Sequence, residues 1–479
     1  MEKQAQANSF PFKLNMKRTM IIGFAFFGIL LMWQVWDSYC SSFLSELFMK
    51  SLGTDDPKQV QYLVGVMMAV DNIAALIMMP IFGHLSDKTN TRFGKRMPYI
   101  LIGTFVVSVA FPFIPIAFHY NNLVALIILM IITVFFAMMY RNPAVALMPD
   151  LTPKPLRSKA NGIINIMGYI GGAVPTVLGM FLVLSQYLKG KYDAATDTWV
   201  PTAQTGNIWI IEVPFLLASV LMIASVIVLF ILIKENKIKD EIKDELARGE
   251  EEAEIQDSVA DDENKPMSKA NKTMLWLILI AEFFWFMADN GVGTFMTNYT
   301  LYHLNTDTSK LAINTIASGL CSVAGFAVGG IIAAKIGRKW TLTGGLALTV
   351  LAYVLWFILG LSIAPNGTFP FYIYVIFVLK GFGMSLVHVN SFPMVVELCS
   401  AKKIGKFTGY YYMASMLAQT ITPIALGSLM LIPDFDWSYL PLYALVCCGF
   451  SLAVFMFVKS VKLNKTDIKK GLEALDVDD

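Results

Sequence analysis

The sequence predicts an all-α integral membrane protein of twelve transmembrane helices, arranged as two pseudo-symmetric six-helix bundles. Three observations predict it: a low and unevenly placed charge content, a series of long apolar stretches, and an internal repeat. Of 479 residues, 56% are hydrophobic and only 15% are charged, against about a quarter charged in soluble proteins. The charges gather in short segments and leave long stretches bare. A bare stretch of ~20 apolar residues crosses ~30 Å of hydrocarbon as a helix.

The spans expected are Thr19–Phe43, Val60–Phe82, Pro98–Phe118, Leu123–Leu147, Ala160–Leu184, Ile208–Ile233, Met274–Tyr299, Leu311–Ala334, Leu342–Leu361, Phe371–Val396, Thr408–Leu431 and Tyr439–Val458. Twelve is an even number, so both termini lie on one side. The polar N-terminal stretch precedes an apolar run too long for the core of a cleaved signal. It reads as the cytoplasmic start of an uncleaved first span. Loops after the even spans carry Lys88, Arg92, Lys95 and Arg96, then Lys154, Arg157 and Lys159, then Lys335, Arg338 and Lys339, then Lys402, Lys403 and Lys406. Opposite loops hold only a few lysines, such as Lys50, Lys58, Lys189 and Lys191. An excess of Lys and Arg marks cytoplasmic loops, so both termini are expected in the cytoplasm and the chain in the plasma (inner) membrane.

Residues 1–234 form the first half, 235–271 a linker, and 272–479 the second half with a short tail. The linker is rich in Glu, Asp and Lys and nearly free of aromatics, so it reads as a charged, partly helical tether. A net charge of +2 gives no basic bias toward nucleic acid. The five cysteines, Cys40, Cys321, Cys399, Cys447 and Cys448, make neither a metal-ligand pattern nor a disulfide framework. No phosphate-cradling glycine loop and no nucleophile–base set on a soluble domain is present, so neither an ATP-driven pump nor an enzyme is expected. No cofactor is expected, and the chain is read as a monomer.

The halves repeat. Trp33-x-x-x-Asp37 followed by Phe43 recurs as Trp285-x-x-x-Asp289 followed by Phe295. Gly83 and its basic turn match Gly330 with Lys335, Arg338 and Lys339; Asp150 matches Glu397; and Pro175-x-x-Leu178-Gly179 matches Pro423-x-x-Leu426-Gly427. Subtracting these positions gives offsets between 247 and 252 residues. Six spans per half preserve orientation, which makes a parallel repeat about an axis along the membrane normal. In transporters built this way the substrate site lies near the midplane between the halves.

The turn after the second span reads Gly83-His-Leu-Ser86-Asp87-Lys88-Thr89-Asn-Thr91-Arg92-Phe93-Gly94-Lys95-Arg96-Met-Pro98. It resembles the loop motif of the major facilitator superfamily, in the longer form of the sugar:cation symporters. Those are the glycoside–pentoside–hexuronide symporters and the sucrose/maltose proton symporter group. Gly94 follows Asp87 by seven residues, where the ordinary facilitator loop spaces them by about three. Asp71-Asn72, the run Ala146–Pro153 with Arg157, and Asn390-Ser-x-Pro393 leading to Gly405-x-x-x-Gly409-Tyr-Tyr are similar to the sucrose-type group. The chain also departs from both relatives. Positions matching the acid and arginine of the fourth span in plant sucrose carriers are Val134 and Val145. Positions matching the sodium-binding aspartates of melibiose-type carriers are about Ala75 and Met79. The resemblance implies the major facilitator fold and symport of a glycoside or disaccharide with a cation, without either relative's coupling residues.

Asp87 lies at a helix end among Arg92, Lys95 and Arg96. With Asp150 and Arg157 on one side and Glu397 with Lys402 or Lys406 on the other, it reads as a latch of ion pairs that gates one end. Surface charge that merely sets topology accounts for the same residues, since exposed pairs contribute only ~0–1 kcal/mol. Ionisable residues inside spans carry more information, because a charge in hydrocarbon costs at least ~2.5–3.5 kcal/mol and such groups face a cavity or a partner. They are Asp37, Asp71, Arg141, Glu282, Asp289, Lys380 and His388. Asp71 has no second acid one turn away to cage a hard cation, which wants several oxygen ligands. A lone buried carboxyl can instead exchange a proton near neutral pH, so H⁺ is preferred to Na⁺, with Asp71, Asp37 and Glu282 as the coupling candidates. A buried acid satisfied by Lys380 or Arg141 is the structural alternative for Asp71.

Trp33 and Trp285 stand four residues before Asp37 and Asp289, on the same helix faces. A ring packs against the C–H face of a pyranose while a carboxylate accepts hydroxyl hydrogen bonds; plain helix packing uses the same spacing. Candidate substrate contacts are therefore Trp33, Gln34, Asp37, Arg141, Trp285, Asp289, Lys380, His388 and Asn390. Asn142, Asn161, Asn165 and Gln419 serve equally as site residues or as polar glue between helices. Two other functions compete: carriage of another solute, such as a lysolipid or drug, and ligand sensing through the charged linker. Deleting most of the 235–271 segment is expected to leave transport intact and to silence a sensor, which solute uptake by the deletion variant measures directly.

Overall fold

The computed structural model describes residues 13–188, 191–193, 198–200, 207–260, 269–361, 368–396, 398 and 404–459. In the first half the helices are α1 Met16–Leu52, α2 Gln61–Lys88, α3 Met97–Ala110, α4 Phe113–His119, α5 Leu123–Asp150, α6 Arg157–Leu178, α7 Leu184–Leu188 and α8 Trp209–Leu232. Two linker helices follow, α9 Glu235–Glu241 and α10 Lys243–Ala260. The second half contains α11 Lys269–Asn298, α12 Thr308–Ile336, α13 Arg338–Gly360, α14 Phe371–Val396, α15 Ile404–Leu429 and α16 Leu440–Met456.

Helix is the only regular structure that closes all its backbone hydrogen bonds within one apolar segment. Caps in this sequence mark where segments start and stop. The Asn15 side chain accepts from the Arg18 N–H at 3.0 Å at the head of α1, and Asn122 does the same for Ala125 at the head of α5. Gly53, with φ of 65°, ends α1. Eleven helical segments are long and apolar enough to cross a membrane, counted among the described residues. The remaining expected span, Thr408–Leu431, is the less apolar helix α15. The expected third span is not one rod: it breaks into α3 and α4 at Phe111–Pro112, because proline lacks the N–H that would continue the ladder. The expected fifth span ends early, at Leu178, and the chain turns into the short α7. A two-stranded antiparallel hairpin, β1 Lys191–Asp193 with β2 Thr198–Val200, lies between α7 and α8.

Each half buries its own apolar core, one running from Ile22 to Ile233 and the other from Leu275 to Val458. Across the halves α2 lies along α15, α6 along α12, and α1 along α11. We call the end where α8 leads into α9 the linker end, and the opposite one the far end.

At the linker end the predicted loop charges assemble within the first half. Arg96, only 5% exposed, donates through Nε to Asp150 Oδ2 at 2.8 Å and pairs with Asp87. Lys95 Nζ stands 3.1 Å from the same Asp150 oxygen. Two expected members lie outside this cluster. Arg92 stacks its guanidinium over Phe93, 4.5 Å from the ring centroid. Arg157 folds back to donate to the Thr152 carbonyl at 3.2 Å, so Lys95 and Arg96, not Arg157, partner Asp150. Glu397 and Lys402 lie outside the described residues, as do all details of the Lys406 side chain. The ion cluster therefore joins the ends of α2 and α5 to the head of α3, all inside one half.

Glu235, the first residue of α9, completes the cluster. Its carboxylate accepts the backbone N–H groups of Lys95 at 2.9 Å, Arg96 at 3.0 Å and Met97 at 3.3 Å. Those donors open α3 and have no partner within the helix, and an anion there also meets the positive end of the helix dipole. Gly94 makes the approach possible. Its φ is +110°, and a Cβ there would fall 2.1 Å from the Glu235 carboxylate. Asn236 adds a bond to the Thr91 carbonyl at 2.9 Å. The linker is thus fastened at its root. Glu235→Ala is expected to lower stability by about 1–3 kcal/mol, the scale of removing a buried charge-assisted acceptor. Exposed Glu241→Ala is expected to change it by less than about 0.5 kcal/mol. Thermal unfolding of the detergent-purified variants checks both.

Candidate functional site

A cavity of about 420 Å³ lies between the halves, walled by α1, α6, α11, α12 and α14. Gln34, Asp37 and Ser38 reach it from α1, Thr176 from α6, Asn290 and Thr297 from α11, Thr315, Ser318 and Ser322 from α12, and Lys380 from α14. Asp37 is solvent-exposed although it sits mid-helix, because its carboxylate faces this space. Gln34 and Ser38 are bridged by a 3.4 Å hydrogen bond on the same face.

Behind Asp37 is a second acid. Asp71 on α2 lies within electrostatic reach of both Asp37 and Arg141. It accepts the backbone and side-chain N–H groups of Asn72 at 2.7 and 2.8 Å. The Arg141 guanidinium stands 6.0 Å from the Trp33 ring centroid. The first half therefore gathers Trp33, Asp37, Asp71 and Arg141 into one polar group. The second half answers with a pair: Lys380 makes an ion pair with Asp289. His388 stacks edge-on against Phe286 at 5.4 Å and acts electrostatically on the same carboxylate.

Of the expected substrate contacts, Gln34, Asp37 and Lys380 line the cavity; Trp33, Arg141, Asp289 and His388 stand behind its wall, and Trp285, Asn390 and the coupling candidate Glu282 are taken up elsewhere. Trp285 is fully buried in the core of the second half, beside Phe286. Its repeat mate Trp33 is half-buried and flanks Arg141, so equivalent positions in the two halves have different surroundings. Asn390 is buried and spends its amide on the Leu386 carbonyl of its own helix at 2.9 Å. Glu282 is fully enclosed within the second half. Asn142 serves as glue, donating to the Met79 carbonyl at 2.6 Å, and Asn165 bonds Asn161 at 3.2 Å.

The far end of the cavity is sealed by residues absent from the predicted set. Asn298, 0% exposed, bonds Ser42 at 3.0 Å and both Ser45 and Gln61 at 3.2 Å. Tyr302 donates to Glu46 at 2.8 Å, and the Ser185 and Thr308 backbone amides each bond the other's hydroxyl at 3.3 Å. Helix backbones meet here as well: a Cβ on Gly65 would fall 2.0 Å from the Pro423 carbonyl oxygen, and one on Gly427 would fall 2.3 Å from that of Gln61. The sequence held a signal for part of this. The offset of 252 residues that pairs Asp37 with Asp289 also pairs Glu46 with Asn298, by subtraction of those positions. Each is a polar residue at a span end that bonds across to the other half.

A family model described as Major Facilitator Superfamily matches residues 22–328 and 278–476. The chain belongs to the Major Facilitator Superfamily. Its fold recurs in solved facilitator structures. One is the xylose transporter XylE from E. coli in a partially occluded inward-open conformation, with a TM-score of 0.63 at 14% identity, covering 93% of this chain and 99% of that one. Another is the peptide transporter POT in complex with alafosfalin, with a TM-score of 0.62 at 13% identity, covering 96% and 97%. A third is a bacterial homolog of the human lysosomal transporter Spinster, inward-facing and occupied, with a TM-score of 0.59 at 13% identity, covering 92% and 93%. No match is found among curated protein sequences. Membership makes the chain a membrane transporter, not an enzyme.

For a facilitator, a sealed far end defines one of two access states. Replacing Asn298 by Ala strips Ser42, Ser45 and Gln61 of their shared partner, at a cost of about 1–3 kcal/mol, or roughly a five- to hundredfold shift in the open population. A cysteine placed at Gly293, exposed in the cavity with open space around its Cβ, reports the change. Its reaction with an impermeant maleimide added from the far side is expected to accelerate in the Asn298→Ala background.

Proposed function

We propose that this facilitator is a proton-coupled symporter of a neutral glycoside or disaccharide. The observation that carries the reading is the cavity between the halves, where Asp37 faces open space and Asp71 lies just behind it beside Arg141. A volume of about 420 Å³ falls within the ~300–1,000 Å³ of small-molecule sites. Carboxylate, amide and hydroxyl groups on its walls match a polyol, and the long Asp87–Gly94 loop resembles that of sugar:cation symporters.

Coupling follows from the charge arrangement. Deprotonated Asp71 offers Arg141 a counter-charge. Protonation removes that charge and frees the guanidinium, next to Trp33, for substrate hydroxyls. Solute and proton are carried together and leave through the end opposite the seal, which the basic loops make the cytoplasmic one. The plasma (inner) membrane and cytoplasmic termini belong to the same reading. Proteoliposomes carrying the protein are expected to accumulate a sugar under an inward proton gradient and to alkalinise the medium on sugar addition. Asp71→Asn is expected to abolish accumulation while sparing sugar exchange. Gradient-driven uptake unchanged in that variant removes Asp71 from the mechanism, and absence of any sugar movement in the native protein overturns the substrate class.

A further inference from the structure

Glu282 is an ionisable group inside a span that does not line the cavity. It lies two helical turns nearer the linker end than Asp289, about 10 Å along α11. Its side chain is 0% exposed, and neither carboxylate oxygen meets a hydrogen-bond donor among the described residues. Among the described residues, the elements packed on α11 offer it no counter-charge. On α14, Lys380 is committed to Asp289, and His388 acts on the same carboxylate. On α15, the Tyr411 hydroxyl is held by Ser391 at 2.8 Å, and Tyr412 lies beyond it. On α16, Tyr443, Cys447 and Cys448 are neutral, and Ser451 bonds the Ala281 carbonyl. Asp37 on α1 faces the cavity, and Lys272 at the start of α11 is exposed. A carboxylate enclosed this way without a partner does not stay ionised; it keeps its proton.

One helix links this enclosure to the access state. At the far end α15 is clamped to α2, through Pro423 on Gly65 and Gly427 on Gln61. Toward the linker end the same helix places Tyr411 beside Glu282. An α15 that shifts on α11 when the far-end seal breaks would move this cover of Glu282.

We propose that Glu282 is a proton-binding site separate from the cavity acids, filled while the far end is sealed and emptied when α15 shifts. In the emptying step the carboxyl O–H bond breaks and the proton passes to water, leaving the carboxylate. The site does not depend on the solute being a sugar.

The test is electron–electron distance measurement between spin labels on exposed Ser51 and Ile432, which flank the far end in different halves, in a background with the five cysteines replaced. The far-end-sealed population of the native protein is expected to fall as pH rises, and Glu282→Gln, which cannot lose a proton, is expected to stay sealed throughout. Asp37→Asn and Asp71→Asn are expected to keep the native shift. Infrared difference spectra across the same pH range are expected to show a protonated-carboxyl band that Glu282→Gln lacks. Glu282→Asp, which retains a carboxyl, is expected to keep the shift with a displaced midpoint and serves if the Gln variant does not fold. A Glu282→Gln profile superimposable on the native one, a native profile flat with pH, or a shift lost in the cavity-acid variants instead would overturn the proposal. Sugar uptake is not read in this experiment, so its outcome is independent of the symport assignment.

Discussion

Hydrocarbon offers a polar group no hydrogen bond, and that constraint governs each charge inside a span of this chain. Backbone groups satisfy themselves in helices. Side-chain charges have three ways out: a partner, contact with water, or loss of the charge itself. Lys380 and Asp289 pair, Asp37 faces the cavity, and Glu282 lies enclosed with no hydrogen-bond donor among the described residues, the third case in our proposal.

The two ends of the molecule are built differently. The far end is closed by neutral hydrogen bonds around Asn298 and by direct backbone contact between α2 and α15. Such contacts are short-ranged and break over small displacements. At the linker end, the cluster of Asp87, Lys95, Arg96, Asp150 and Glu235 ties one half to itself. It fastens the linker ends of α2, α3 and α5 to the head of α9 within the first half.

Architecture was legible in the sequence because a bilayer enforces it: span length, sparse charge and the 247–252 offset all follow from a fixed slab thickness and a repeated unit. The polar group formed by Asp37, Asp71 and Arg141 was legible for the same reason, since charges in apolar runs are conspicuous. The seal was not. Ser42, Ser45, Gln61 and Asn298 are uncharged, so nothing in composition sets them apart from polar residues that merely glue helices. Trp285 shows the opposite error, in which a repeat correctly located carried an inference about surroundings that the second half does not share. Covalent pattern repeats exactly only in position; what each ring touches depends on neighbours contributed by other helices. Arg157 and Glu235 make the same point for the linker-end charges, where proximity in sequence pointed to Arg157 and three-dimensional packing brought in a residue from beyond α8.

Glu235 also bears on how the protein is made. Because the anion that closes the head of α3 is the first residue after α8, the first half contains everything needed to complete its own linker-end cluster once residue 235 has left the ribosome. Synthesis runs from the N-terminus, and domains fold largely as units in that order. The first bundle can therefore finish assembling before α11 has emerged into the bilayer, and the remaining linker residues set an interval in which one completed half waits there for the other.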